Sequence, residues 1–262
     1  MVHYHYGNFM IFIHFTGGQY LIAGGYDPDD DARMTEVVEL IKTSSTPSFG
    51  QLPYWRWNSI GTMFGNAPTL CGGFNGTSSL DSCLSFKNSQ WSQIDMKMNK
   101  KRASAAGVQI NSTTLWILGG YDEYVDPSYN SSTVYFDSTE FIMEGRTNGV
   151  PGPKLPHKLE GMCAVKLSEE EIFVIGGYDE NYVYRKEVWI YNPQNGFARY
   201  QGYNLNSRRA FHSCSTMRVG EKKVIVVAGG TNKEPDPITH HWPSLDSVEI
   251  FDPTDKIWHS GM

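Results

Sequence analysis

The 262-residue chain is long enough for one large domain or two small ones, and its 40% hydrophobic and 19% charged residues are ordinary for a globular protein. Its net charge of −6, without any block of Lys and Arg, argues against a nucleic-acid-binding surface. No apolar run reaches the roughly 18 residues that a helix needs to cross a bilayer, so the sequence predicts no membrane span.

The first apolar stretch is FMIFIHF, residues 9–15, and it has two interpretations. It resembles the short apolar core of a secretory signal peptide. However, no Lys or Arg precedes it, and Gly17 and Gly18 follow it in place of a typical cleavage site. We therefore predict an inner β-strand here and no evident signal peptide.

Five glycine doublets divide the chain into similar segments. Each doublet ends a short apolar run: YLIA, PTLC, LWIL, IFVI or VIVVA. These runs are rich in β-branched or aromatic residues and are too short for helices, so they predict buried strands. The doublets are Gly24-Gly25, Gly72-Gly73, Gly119-Gly120, Gly176-Gly177 and Gly229-Gly230.

Each of these runs has similar neighbours in the sequence. A further apolar strand precedes it, a third follows after a polar loop of variable length, and a short fourth element usually carries an aromatic residue. In the third segment, VPGPKLP stands where this fourth strand is expected. The aromatic residues predicted on the fourth strands are Trp55 or Trp57, Trp91, Phe197 and Trp258.

Four strands in each segment, with no helical periodicity, predict an all-β fold built of propeller blades. One four-stranded sheet leaves its faces exposed, so such sheets must stack radially on one another. Glycine allows close backbone approach near the axis, whereas Trp fills the wider space at the rim. The predicted single domain covers residues 1–262, with blades at about 9–57, 58–98, 99–155, 156–205 and 206–262.

This pattern resembles the kelch-repeat family over the whole chain. Its further marks are Arg102 and Arg208 or Arg209, which lead into inner strands, and an aromatic residue after each doublet, although Thr231 replaces it in the last segment. Kelch propellers are usually six- or seven-bladed. The resemblance therefore implies a fragment of a larger ring, with a five-bladed ring as the alternative. The aromatic residues after the other doublets are Tyr26, Phe74, Tyr121 and Tyr178.

The loops that join second and third strands predict a binding face, because loops on a rigid scaffold carry function. They are acidic and rich in Tyr, and the connections between blades add cations, which suits recognition of a protein or of a glycan on a protein. We expect a non-enzymatic interaction module that needs no cofactor; its oligomeric state is not predicted. The candidate residues are Tyr26, Asp27, Tyr121, Asp122, Tyr124, Tyr178, Asp179, Tyr182, Arg102, Arg208 and Trp242.

Two other functions stay open. Some kelch-like propellers are enzymes, but no nucleophile elbow or sialidase-type box occurs here. Others are the substrate receptors of intracellular ubiquitin-ligase adaptors, whose helical BTB–BACK module has no counterpart in this sequence. We predict no metal site, because the acidic cluster from Asp27 to Asp31 lacks the EF-hand pattern and the His residues lack ligand spacing.

Cysteine positions bear on the compartment. Cys71 ends a second strand and Cys83 lies on the adjacent third strand, which predicts a disulfide, with two separate buried thiols as the alternative. Cys163 and Cys214 lie at matching places on two inner strands, and their pairing is left open. Three N-glycosylation sequons begin at Asn75, Asn111 and Asn130. Cysteines and sequons together favour an extracellular protein, with the cytoplasm as the alternative. In other segments we equate the places of the first pair with Ala23 and Glu39, Leu118 and Glu140, and Ile175 and Trp189.

Overall fold

The computed structural model describes the backbones of residues 11–15, 19–23 and 38–41, and residues 51–128, 130–200, 202–233 and 243–261. Within this part of the chain every regular element is a β-strand, and the strands of each three- or four-stranded sheet pair antiparallel. The predicted all-β class is therefore confirmed. Nowhere in these residues is there a helix long and apolar enough to cross a membrane.

The first sheet has three described strands in the order β1, β2, β3. The first of them confirms that the FMIFIHF stretch contributes a strand. Trp55 or Trp57 was predicted to lie on the fourth strand of this sheet, and for Trp57 the prediction is wrong. The backbone of Trp57 instead exchanges hydrogen bonds with Phe74, next to the second doublet. The strands are β1 (Ile11–Phe15), β2 (Gln19–Ala23) and β3 (Val38–Ile41).

The second sheet has the order β4-β5-β6-β7, as the predicted succession of strands requires. Trp91 on its fourth strand is buried, and its ring packs 5.6 Å from that of Phe86. A bulky aromatic side chain on the outermost strand thus covers the aromatic residue of the adjacent strand β6. The strands are β4 (Ile60–Phe64), β5 (Ala67–Cys71), β6 (Ser82–Lys87) and β7 (Gln90–Lys97).

The third sheet has the order β13-β12-β9-β8, and its long second-to-third loop forms a separate two-stranded sheet, β10-β11. The sequence predicts only a polar loop in this segment, so the β10-β11 pair is an addition to the predicted strands. The fourth strand, within VPGPKLP, is only two residues long, because proline has no N–H to donate to a ladder. The strands are β8 (Ala106–Asn111), β9 (Thr114–Leu118), β10 (Tyr121–Val125), β11 (Ser131–Tyr135), β12 (Thr139–Met143) and β13 (Val150–Pro151).

The fourth sheet has the order β15-β16-β18-β19, and a short pair, β14-β17, lies beside it in the chain. Phe197 lies on its last strand, as predicted, with its ring 5.0 Å from that of Tyr191. The strands are β14 (Leu159–Glu160), β15 (Cys163–Lys166), β16 (Ile172–Ile175), β17 (Tyr178–Asp179), β18 (Val188–Asn192) and β19 (Gly196–Arg199).

The fifth sheet has the order β20-β21-β22-β23. Trp258 on its fourth strand is buried, and its indole N–H donates to the Tyr203 carbonyl oxygen at 2.6 Å. The strands are β20 (Ser213–Val219), β21 (Lys222–Ala228), β22 (Val248–Asp252) and β23 (Ile257–Ser260).

The chain divides into two compact units, residues 1–134 with 139–152 and residues 135–138 with 153–262. In the first unit, a buried cluster that includes Ile60, Phe64, Leu115 and Ile117 joins the second and third sheets. In the second unit, Phe173, Ile175, Ile225, Val227 and their neighbours join the fourth and fifth sheets. Within each unit, sheets therefore pack face to face, as propeller blades do; the number of blades and their ring stay predictions.

Candidate functional site

The four described glycine doublets have the left-handed backbone that only glycine adopts at little cost. At the third doublet, for example, φ is +61° at Gly119 and +81° at Gly120. A Cβ atom on Gly120 would lie 2.5 Å from the Ala103 carbonyl oxygen, and one on Gly230 would lie 2.5 Å from that of Ala210. Gly120 and Gly230 therefore have no room for a side chain, and both are required by the close backbone approach at their turns. Gly24 and Gly25 lie outside the described residues.

The residue after each described doublet is fixed by backbone pairing. Tyr121 exchanges hydrogen bonds of 2.8 and 3.0 Å with Ala103, and Thr231 pairs in the same way with Ala210. Tyr178 pairs with Glu160. The recurring aromatic at this place is thus held at the base of the loop, and Thr231 shows that the pairing does not require an aromatic side chain.

A buried arginine precedes the pairing partner in three sheets. Arg102 donates to the Gly119 carbonyl oxygen at 2.7 Å, Arg209 to that of Gly229 at 2.9 Å, and Arg56 to that of Gly72 at 2.9 Å. All three side chains are fully enclosed. Their guanidinium groups supply donors for carbonyl groups that the sharp turn of the doublet leaves without a strand partner.

Two of these arginines also bind a buried carboxylate. Nε of Arg102 lies 2.8 Å from Oε1 of Glu140, and the Arg209 guanidinium lies 2.7 Å from Oε1 of Glu249. Burial lowers the pKa of Arg102, and the negative charge of Glu140 opposes that shift. The carboxylates also accept backbone N–H groups, from Asn99 at 2.6 Å for Glu140. Each pair is therefore a buried structural element, although Nε of Arg209 has no hydrogen-bond partner among the described residues.

The predicted binding face changes accordingly. Arg102 is only 1% exposed and is a structural residue, so its assignment to an exposed face is wrong. Of the alternatives Arg208 and Arg209, the buried Arg209 is the structural residue and Arg208 is exposed. Arg56 was missed by sequence reasoning. The signal was present, because Arg56, Arg102 and Arg209 each stand four residues before the first residue of an inner strand.

The second-to-third loop of the fourth sheet presents one exposed aromatic side chain on a fixed backbone. Tyr182 is 68% exposed and has a φ of +62°, a conformation that bulky residues rarely adopt. Its N–H donates to the Asp179 carbonyl oxygen at 2.9 Å. The ring of the buried Tyr178 lies 6.0 Å from the Tyr182 ring and 4.7 Å from that of Tyr184.

Asp179 ties this loop together. Its carboxylate accepts the N–H groups of Asn181 at 2.9 Å and Val183 at 3.0 Å, and Nε of Arg185 at 2.8 Å. Burial by itself would raise the pKa of Asp179, but the hydrogen bonds from Arg185 and the two amides hold that pKa below its usual value. At 2% exposure, Asp179 supports the loop and offers no surface to a partner.

The corresponding loop of the third sheet is the β10-β11 pair. Tyr124 is 51% exposed, and β10 also bonds to residues 77–79, with Ser79 N–H donating to the Glu123 carbonyl oxygen at 2.9 Å. Tyr121 and Asp122 are half-buried. Burial raises the pKa of Asp122, and the positive charge of Lys101 partly offsets this. Tyr26, Asp27 and Trp242 lie outside the described residues.

All four cysteines form disulfides. The predicted pair, Cys71 with Cys83, is confirmed, with directly opposed Cα atoms 4.1 Å apart. The equivalent places in other sheets were assigned one residue too late on the third strand. The ladders oppose Ala23 to Val38, Leu118 to Thr139 and Ile175 to Val188, rather than to Glu39, Glu140 and Trp189.

The pairing of Cys163 with Cys214, which the sequence left open, links β15 to β20, with Cα atoms 6.0 Å apart. The two places are offset by one residue rather than matching, since Cys163 opposes the last residue of β16 and Cys214 the residue before the last of β21. Successive side chains of a strand point to opposite faces. With this offset, the cysteine side chains of β15 and β20 point towards each other and form the disulfide.

Comparison with known proteins agrees with this architecture. No curated protein matches the chain. The family model described as Kelch motif matches residues 222–262, which include β21, β22 and β23 of the fifth sheet. This match confirms, for the last segment of the chain, the predicted resemblance to the kelch-repeat family.

Proposed function

We propose that the chain is a non-enzymatic recognition module that binds a protein partner through the loops that join second and third strands. The observation that carries the proposal is Tyr182, a largely exposed aromatic side chain on a backbone that Asp179 and Arg185 fix. Tyrosine is enriched among the residues that dominate binding energy at protein interfaces. An anchor whose backbone is already ordered loses less conformational entropy on binding than one on a mobile loop.

The surroundings of Tyr182 also suit a protein partner. Lys158 and Glu180 form an exposed ion pair of 2.5 Å beside the loop. Arg185 and Arg199 lie 3.7 and 3.8 Å from the Glu187 carboxylate. Protein interfaces typically have a core rich in aromatic residues and a polar rim around it. Tyr182, with charged groups of both signs on and beside its loop, has this composition. Tyr124, in the corresponding loop of the third sheet, is a second exposed aromatic side chain.

The test compares Tyr182→Ala with Tyr200→Ala. Tyr200 is 51% exposed, its ring lies 5.2 Å from that of Tyr203, and it is outside the loop, so its variant controls for the loss of any surface tyrosine. The probe is an array of purified extracellular protein fragments, and each fragment bound by the wild-type chain is titrated against both variants. We expect Tyr182→Ala to weaken the Kd by about 30-fold, the loss of one interface hot spot, and Tyr200→Ala to change it less than about 2-fold.

Equal binding by the wild type and Tyr182→Ala would contradict the proposal. Both variants should unfold at the same denaturant concentration as the wild type, because neither removes a buried group. A loss of stability in Tyr182→Ala would assign the ring to the structure and not to a partner.

A further inference from the structure

The three N-glycosylation sequons lie in different structural settings. Asn111 lies at the end of β8, in the turn to β9. Asn75 and Asn130 lie in the loops between second and third strands of the second and third sheets. A sequon becomes a modification site only where the asparagine is accessible and the chain passes through the secretory pathway.

The disulfides indicate that the chain passes through the secretory pathway. All four cysteines pair, one pair within the second sheet and one pair between the fourth and fifth sheets. Structural disulfides form and persist in oxidising compartments such as the endoplasmic reticulum lumen, and are rare in the cytosol. N-linked glycans are added in that same lumen, so the disulfides and the sequons point independently to one route.

The first condition is best met at Asn111. Asn111, Ser112 and Thr113 are all exposed. The Asn111 carboxamide oxygen accepts the Thr113 N–H at 2.9 Å and the Thr113 hydroxyl at 3.0 Å, so the hydroxyl of the sequon lies beside the amide group to be modified. The Asn111 Nδ2 atom donates to no group in the described part of the chain.

The backbone of this turn is held in place while its side chains stay outside. The Ser112 carbonyl oxygen accepts the Gly65 N–H at 3.2 Å, and the Thr113 carbonyl oxygen accepts the Glu144 N–H at 2.9 Å. A glycan on Asn111 would therefore extend into solvent from a fixed base. It would disrupt none of the hydrogen bonds that hold the turn, because Nδ2 takes part in none of them.

The other two sequons are less suitable. Nδ2 of Asn130 donates to Asp126 at 3.2 Å, so modification would compete with that bond. Asn75 is half-buried next to the buried Phe74, and its backbone N–H donates to the Ser78 carbonyl oxygen at 3.1 Å. The Thr77 carbonyl oxygen is bound by the Val125 N–H at 2.8 Å, which further encloses this sequon.

We infer that Asn111 is an acceptor of an N-linked glycan. The donor class is an oligosaccharide attached to a lipid diphosphate. In the transfer, Nδ2 of Asn111 bonds to C1 of the first sugar while the bond from C1 to the diphosphate oxygen breaks. The lipid diphosphate leaves, and Nδ2 loses one proton. This inference does not depend on the proposed function.

The position of Asn111 leaves the loops of its own sheet free. From the turn at Asn111, β9 runs to the doublet at Gly119-Gly120, a distance of roughly 15 Å at the usual rise per residue of a strand. The glycan would thus extend from the end of the third sheet opposite to the β10-β11 pair. A glycan on Asn130 would instead cover that pair.

The test is secretion of the full 262-residue chain from eukaryotic cells behind a cleavable leader. The purified protein is treated with a peptide N-glycosidase in water labelled with heavy oxygen, which converts each glycosylated asparagine to a labelled aspartate. We expect complete loss of the glycan mass on treatment and a labelled aspartate at position 111. Asn111→Gln should abolish the mass change, whereas Asn75→Gln and Asn130→Gln should leave it in place.

Two further variants keep Asn111, so that misfolding of Asn111→Gln cannot be mistaken for loss of the glycosylation site. Thr113→Ala removes the sequon and should lose the glycan, and Thr113→Ser restores the hydroxyl and should regain it. An unmodified wild-type chain, or a mass change that persists unaltered in both Asn111→Gln and Thr113→Ala, would overturn the inference.

Discussion

The third and fifth sheets differ from the fourth at the place of the buried arginine. Arg102 and Arg209 bind Glu140 and Glu249, and these carboxylates lie opposite the residue before the last on the second strand. In the fourth sheet, Leu159 stands four residues before the inner strand, and Trp189 occupies the place of the glutamate. In the fourth sheet apolar residues thus occupy the places of both charged residues, so the glycine doublet itself does not require the ion pair.

The largest expected effect comes from breaking one ion pair. Glu140→Ala would leave the Arg102 guanidinium buried without its carboxylate, and we expect a loss of about 3–5 kcal/mol in the free energy of unfolding. The double variant Arg102→Leu with Glu140→Leu imitates the apolar solution of the fourth sheet and should be less destabilised than Glu140→Ala alone. Urea unfolding of Arg102→Leu, Glu140→Leu and the double variant measures the coupling between the two side chains. Additive losses would show that the pair is not coupled.

The next effect separates backbone strain from steric conflict at the doublets. Gly120 and Gly145 have nearly equal φ values, +81° and +80°, but a Cβ on Gly145 meets nothing within 4 Å. Gly145→Ala should cost about 1–2 kcal/mol, the penalty of the left-handed conformation. Gly120→Ala should cost roughly 2–5 kcal/mol, because overpacking against Ala103 adds to that penalty. Equal losses in urea unfolding would mean that the close approach is unimportant.

The smallest effect concerns the residue just before the inner strand of the fifth sheet. Met162 and Ala105 fill this place in the fourth and third sheets, and the buried His212 fills it in the fifth. Desolvation, aided by the Arg209 charge, lowers the pKa of His212 from 6.5 to about 3. Since the folded chain binds this proton more weakly than the unfolded chain, stability is complete above pH 6.5 and falls as the pH is lowered towards 3.

At pH 5 the expected cost of His212 is about 2 kcal/mol relative to neutral pH. His212→Met, which copies the fourth sheet, should remove this part of the pH dependence. The measurement is the free energy of unfolding between pH 7 and pH 4 for both proteins. Other groups titrate in both chains, so the difference between the two curves reports His212, and parallel curves would contradict the assignment.

The strands of the five sheets were predictable because periodicity and doublets are local signals. The β-branched run VIVVA and the doublet after it, for example, became β21 and its left-handed turn. The β10-β11 pair was not predictable, because Ser131 to Thr133 are exposed polar residues and carry no alternating burial pattern. Its pairing depends on neighbouring backbone, such as Ser79, which sequence spacing does not reveal.

The candidate site was predicted less well than the fold. Tyr182 and Tyr124 are exposed as expected, whereas Arg102 and Asp179 are buried. A sequence shows that a charged residue is present but not whether another chain segment neutralises it, and Glu140 and Arg185 are 38 and 6 residues away from those two groups. The one-residue error at the cysteines arose because the alignment of third strands depends on loop length, which varies between segments.

The Cys163–Cys214 disulfide has a mechanical consequence. Its two cysteines are 51 positions apart in the chain. When force pulls on residues on either side of this pair, the tension passes through the disulfide and bypasses the enclosed fourth sheet. That segment would contribute roughly 170 Å of contour length if it were free to extend, at the length of an extended residue. While the Cys163–Cys214 disulfide is oxidised, an applied force therefore does not act on the fourth sheet. After the disulfide is reduced, the same force acts on that sheet directly.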